Sequence, residues 1–381
     1  MNKAAARGVV VAAACVAAAV SATTSTVMFH ECVVNPTACD AADTATAFLQ
    51  VFGTRKSSPS VGDPTVTVFT RDLVADTKRY DEKARKTVTD KILKPGVVLK
   101  FVSGGDTYEL EALRTKGGLL QSFKLNGWSI LFNRPYEDQM DGTSFWPAPQ
   151  SVWGWPPPRE LDPTPSNDYN TEYDLSVDED GKSFKMTSPV SKRFNIRVSK
   201  KATVDAERLA FVLDYEIENM GSEPQRWAPW EISRVKPNGL TFFLTGTHTS
   251  SGSWPKLPTT QEGGVTWFSQ EVSDTGKLFA DTKFAAPGSS KAWLAHTDGK
   301  LLFVKCFDRI RTKDAAPGED QVEIYDGGDY EEVEQQGAYR LIEPSKTLRW
   351  RVSWFLRRVP DSAKAQVGNK ELADFAGSLC Y

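Results

Sequence analysis

Histidine and methionine are scarce in this chain, at 3 and 5 residues of 381. The histidines and cysteines show no metal-ligand spacing, so no metal is expected. No phosphate-cradling glycine loop and no Gly-x-Ser-x-Gly elbow occur, so no cofactor and no serine-hydrolase chemistry are expected either. No long block of one charge is present: 46 Lys and Arg stand against 49 Asp and Glu. That balance argues against a nucleic-acid partner. A repeat of roughly 20–50 residues is also lacking, which argues against a propeller.

Aromatic residues and turn formers are plentiful. Eleven tryptophans and 20 phenylalanines suffice for a large core, and 27 glycines with 22 prolines suit strands and turns. From residue 95 onward the alternation has period two. Leu209, Phe211, Leu213, Tyr215 and Ile217 alternate with Ala210, Val212, Asp214 and Glu216, and Leu348, Trp350, Val352 and Trp354 with Arg349, Arg351 and Ser353. Thr297-Asp298-Gly299-Lys300 reads as a hairpin and Asp178-Glu179-Asp180-Gly181 as a turn. A mainly β fold follows, a large antiparallel sandwich over residues 95–360 with a tail at 361–381.

The N-terminus reads as an export signal over residues 1–22. Lys3 and Arg7 precede the Ala/Val run Val9–Val20, and Val20-Ser21-Ala22 offers a cleavage site. The run is too short to span a bilayer, although continued towards Met28 it makes a poor anchor. A secreted or periplasmic protein is expected, touching membrane only through an uncleaved N-terminal segment. Residues 23–94 form a lead-in, rich in Ala, Thr, Ser and Pro up to about residue 64. Within it, Tyr80, Ala84, Val88 and Ile92 at four-residue spacing predict one short charged helix over 72–93.

Without the signal, Cys32, Cys39, Cys306 and Cys380 allow three pairings. Cys32–Cys39 would close a short loop, and Cys306–Cys380 would pin the tail to a late strand. The alternative is free thiols, with Cys306 simply buried.

The run Ser144–Pro158 carries three indoles and five prolines. Each proline removes a backbone donor, which predicts a rigid loop rather than a helix or interior strand. Flat aromatic faces held in place suit the C–H side of a pyranose. Capping of a β core is the alternative, and one loop can do both.

These segments carry a resemblance. Leu119–Phe132, Trp146-Pro147-Ala148-Pro149, and Trp153-Gly154-Trp155-Pro156-Pro157 resemble a domain family of the galactose mutarotase-like (aldose 1-epimerase-like) superfamily. So do Glu218-Asn219-Met220-Gly221 leading into Trp227–Glu231, Val322–Tyr325, Tyr330–Glu334 and Leu348–Leu356. The resemblance implies a supersandwich of two twisted sheets with a sugar-binding concave face.

It also implies a late-strand glutamate as base and a histidine as acid, since opening a hemiacetal needs both. Tyr330, Glu332 and Glu334 share one strand face by their spacing, which places Glu334 or Glu332 as the base. A solvated acidic edge is the alternative. The family's histidine position is taken by Trp227-Ala228-Pro229-Trp230-Glu231, leaving His248 as the remaining candidate acid; His296, beside a hairpin, is expected to be exposed. Trp146, Trp153, Trp155 and Trp230 are the candidate stacking surfaces, and Glu231 and Arg234 the candidate polar contacts with a mono- or oligosaccharide. The sequence thus supports an exported carbohydrate-binding protein. The alternatives are a sugar-active enzyme, epimerase-like or carbohydrate-cleaving, and an assembly module whose tryptophans only fill the core.

Overall fold

The computed structural model describes residues 64–381, apart from 82, 84, 134–140, 156, 158–171 and 270–274. The expected export signal, the expected linker up to residue 63 and the candidate Cys32–Cys39 pairing lie outside the described residues. Among the described residues no helix is long and apolar enough to cross a membrane.

Two antiparallel sheets face each other. The first runs from the hairpin Thr65–Asp81 and Lys86–Ser103 through Asp106–Leu113, Leu120–Leu125 and Thr143–Ala148. It continues through Gln225–Val235, Glu331–Gln336, Val322–Asp326 and Gly276–Thr282. The second is built around Ile196–Asp205, Ala210–Asn219, Thr347–Arg358, Leu301–Asp308 and Lys291–Thr297. The strand Leu240–Ser250 belongs to both: Leu240–Phe243 pair with Lys291–Thr297, and beyond an irregularity between Thr245 and Thr249 the strand pairs with Gly276–Thr282. Phe123, Phe211, Phe303 and Trp354 meet between the sheets at ring-centroid distances of 5.0–5.5 Å, the spacing of edge-to-face aromatic packing. The fold is the expected large antiparallel β-sandwich, and both predicted turns join strands, Asp174–Val177 to Phe184–Thr187 and Lys291–Thr297 to Leu301–Asp308.

Two local expectations are corrected. Residues 72–81 and 86–93 are not helical; they are strand, in the long hairpin Thr65–Asp81/Lys86–Ser103. A four-residue spacing fits one strand face as well as one helix face, and the β-branched run Thr65-Val66-Thr67-Val68 starts the chain as strand. The Trp-Pro run is not a loop throughout either, because Thr143–Ala148 is a strand and Gln150–Trp153 a single helical turn. Pro147 lies directly opposite Pro229. That position requires no N–H between the two strands, so both prolines are tolerated inside a sheet.

The tail is ordered. Helix Lys370–Ser378 is capped by Asn369, whose side chain accepts from the Leu372 N–H at 2.8 Å. Its Leu372 and Ala376 bury with Phe242, Trp267 and Trp293 in a second apolar cluster. A disulfide joins Cys306 to Cys380, with Cα atoms 5.5 Å apart.

Candidate functional site

A cavity of about 410 Å³ opens on the first sheet, lined by Trp146, Gln150, Trp155, Trp230, Trp254, Lys277, Tyr325, Tyr330, Glu332 and Glu334. Its size falls in the range of about 300–1,000 Å³ usual for small-molecule sites. Period two places these residues together. Register sets Trp146 opposite Trp230, Arg234 opposite Glu332, Glu332 opposite Tyr325, Tyr325 opposite Lys277, and Glu323 opposite Glu334. One face of five adjoining strands therefore carries aromatic walls and a charged floor.

The walls meet at steep angles. Trp146 stands edge-on to Trp230 at 5.4 Å and to Trp155 at 6.1 Å, and Trp254 edge-on to Tyr325 at 5.5 Å. Trp155 and Trp254 are 56% and 45% exposed, whereas Trp146 and Trp230 are buried. The outer pair is thus free to receive a flat ligand, and the inner pair forms the base.

The floor is a set of ion pairs. Arg234 Nε donates to Glu332 Oε1 at 2.9 Å and its Nη1 to Ser144 Oγ at 2.8 Å. Lys277 Nζ lies 2.9 Å from Glu323 Oε2 and 5.5 Å from the Trp230 ring. Burial alone would discharge Lys277, but Glu323 and then Glu334 outweigh it and hold the ammonium well above the usual lysine range. Burial pushes Glu323 up to about 7 despite that lysine. Trp230 Nε1 donates to Glu334 Oε2 at 2.8 Å, and Glu334 Oε1 has no hydrogen-bond partner. Burial first, then the charges of Glu323 and Glu332, push Glu334 up to about 8.

Of the sequence candidates, Trp146, Trp155, Trp230, Glu332 and Glu334 line this cavity. Glu331, Glu332 and Glu334 are buried rather than a solvated edge. Arg234 is buried behind the floor and acts through Glu332 instead of lining the cavity. Trp153 is also sequestered: its Nε1 donates to the Pro147 carbonyl at 2.7 Å and its ring packs edge-on against Trp146.

Glu231 points the other way. Being odd-numbered on a strand whose even positions face the cavity, it enters the core between the sheets. There it accepts from Tyr215 at 2.5 Å, Gln335 at 2.5 Å and Trp354 at 3.1 Å, with Lys305 Nζ 3.2 Å away. A sugar contact by Glu231 is therefore corrected to a structural role.

His248 is likewise outside the cavity, half-exposed, with Nδ1 3.0 Å from Asp320 Oδ2. His296, expected at the surface, is buried; burial lowers it to about 4, and Thr241 Oγ1 lies 2.8 Å from its Nδ1.

Lys277, Trp254, Tyr325 and Gln150 were not singled out as site residues from the sequence. Lys277 carried one readable signal, a lone cation followed by the apolar Leu278-Phe279-Ala280. Trp254 follows the small-residue run Ser250-Ser251-Gly252-Ser253, which reads as a plain loop. Among the described residues no cluster of His, Cys, Asp and Glu could hold a metal ion.

No family model and no curated protein matches the chain. Several solved structures are similar. A putative aldose 1-epimerase from Klebsiella pneumoniae is 10% identical with a TM-score of 0.47, covering 82% of this chain and 94% of that one. A galactose mutarotase-like protein from Clostridium acetobutylicum is 10% identical with a TM-score of 0.45, covering 77% and 99%. A TPR-domain containing protein from Parabacteroides distasonis is 9% identical with a TM-score of 0.40; the match covers 78% of this chain but only 56% of that one. At such identities and scores the likeness says nothing of ligand or activity, and the chemistry must come from the cavity itself.

Proposed function

We propose that the protein is an exported carbohydrate-binding protein and that the Trp155–Trp254 cavity is its sugar site. The observation that carries this reading is the pairing of indole walls with a floor of fixed charges, Glu332, Glu334 and Lys277, in one cavity of about 410 Å³. Indole faces take the C–H side of a pyranose, and the floor offers donors and acceptors to its hydroxyls. The Cys306–Cys380 disulfide supports the export half of the proposal, since such bonds persist in oxidising compartments.

A glycan array with the purified protein tests it. Hits are expected, and Trp155→Ala should weaken them by about tenfold, or 1.4 kcal/mol, without lowering the melting temperature. A folded protein that binds no glycan would falsify the proposal.

A second reading, a sugar-active enzyme with carboxylate acid–base chemistry, is favoured by one observation. Glu334 is pushed to about 8 beside Glu332, which is ion-paired to Arg234. Two carboxyl groups in different environments suit separate proton-donating and proton-accepting roles. In this arrangement Glu334 holds a proton at neutral pH and is the donor, while Glu332 is the acceptor. Anomer exchange of aldoses followed by NMR or polarimetry decides: acceleration lost in Glu334→Gln supports catalysis, and exchange at the uncatalysed rate with wild-type protein rules out mutarotation.

A further inference from the structure

The cavity floor has one carboxyl group too many for its cations. Arg234 is paired with Glu332 at 2.9 Å and Lys277 with Glu323 at 2.9 Å. Glu334, next to both pairs, has no cation of the described residues within ion-pair distance. Its Oε2 takes the Trp230 indole N–H, while Oε1, on a side chain only 1% exposed, has no partner. A buried acceptor left unfilled is destabilising, because its hydration is lost and nothing replaces it. A donor arriving with the ligand would remove that cost.

The surroundings favour a charged donor over a hydroxyl. Burial disfavours ionised Glu334 most; the Lys277 ammonium opposes this without coming within ion-pair distance, and the negative charges of Glu323 and Glu332 add to it. A hydroxyl fills the lone pair but leaves that repulsion in place. An ammonium fills it, displaces to solvent the proton that Glu334 holds at neutral pH and offsets the repulsion, in a charge-assisted bond roughly twice as strong as a neutral one. The outer indoles point the same way: a tryptophan face attracts a nearby cation, and Trp155 and Trp254 offer exposed faces in the cavity, whereas the Trp230 ring already has Lys277 beside it.

We propose that the cavity selects sugars bearing a free amine, an amino-hexose or its oligomers, with the ammonium received by Oε1 of Glu334 between the indole walls. This rests on the carbohydrate reading and adds the ligand's class to it.

Three β-1,4-linked oligomers of equal length, differing only at C2, test the idea by calorimetry at neutral pH: glucosamine, N-acetylglucosamine and glucose oligomers. A linear polyamine of matching charge is the fourth probe, supplying cations without pyranose rings. The glucosamine oligomer should bind at least tenfold more tightly than the other three. Glu334→Gln, checked to be folded by its cooperative thermal unfolding, should bring it down to the level of the neutral oligomers. Equal affinity for the three oligomers, or a preference that survives Glu334→Gln, overturns the amine assignment and leaves sugar binding standing. Polyamine binding as tight as that of the glucosamine oligomer overturns it too, because the site would then recognise charge alone. Silence with every sugar here and on the array sinks both readings together.

Discussion

Glu231 and Glu334 sit on adjoining strands of one sheet, one residue apart in register and on opposite faces. Both are almost wholly buried, at 0% and 1% exposure. Glu231 is saturated, with three donors and the Lys305 ammonium around it. Glu334 has one donor and an unpartnered oxygen, on a side chain that lines the cavity. The difference separates a carboxylate that holds the sheets together from one kept available. It also explains why charge in the sequence could not distinguish them: the surroundings, not the residue type, set the role.

The most severe way to probe the contrast is to remove the saturated member. Glu231→Ala leaves Lys305 buried without its carboxylate, and burial already lowers Lys305 to about 8. A loss of about 3–5 kcal/mol is expected, read by denaturant unfolding. A loss below 1 kcal/mol would show that Glu231 is not the structural partner described here.

Next comes the covalent tie that fixes the tail. Cys306→Ser opens a bridge between residues 74 apart in sequence, for which about 2–4 kcal/mol is expected. Unchanged unfolding in the variant would contradict it.

The open member should reveal itself through pH. Glu334 is raised from its ordinary 4.5 to about 8, chiefly by burial, and it faces Lys277, Glu323, Glu332 and Arg234. A raised carboxyl binds its proton more tightly when folded. Its stabilising contribution is therefore complete below about pH 4.5 and is lost as pH rises through about 8. Glu323 and Glu331, raised to about 7 and 8, slope the same way. The melting temperature of Glu334→Gln should consequently fall less steeply than wild type between pH 5 and 8. Parallel curves would place Glu334 in an ordinary solvated environment.

The smallest effect concerns the outer wall. Trp155 is more than half exposed, so Trp155→Ala should change stability by no more than about 0.5 kcal/mol in thermal denaturation. Trp153→Ala, which empties a buried site, should cost about 3–5 kcal/mol. Equal losses would erase the distinction between the two indoles.

Much of this arrangement was readable in letters. The alternation of Tyr330, Glu332 and Glu334 placed three cavity residues on one face, and the hairpin at Asp298-Gly299 was plain. What escaped was whatever depended on register between distant strands. Nothing in Gly276-Lys277-Leu278 indicates that Tyr325 and Glu323 will lie beside it. Pro147, one of the five prolines that argued for a loop, is excused only once Pro229 is seen to lie opposite it. Helix over 72–93 failed for a simpler reason, that a spacing of four is close to one helical turn of about 3.6 residues and also equals two strand repeats of about 2. Glu231 was misassigned because one residue of shift turns a side chain from hollow to core.

The bond between Cys306 and Cys380 has a practical corollary for anyone producing the protein. Made in a reducing cytosol, the chain would carry a final helix secured only by its greasy underside and a few polar contacts, including Arg208 to the Leu379 carbonyl. Material from an oxidising host should therefore be the more homogeneous starting point for ligand work.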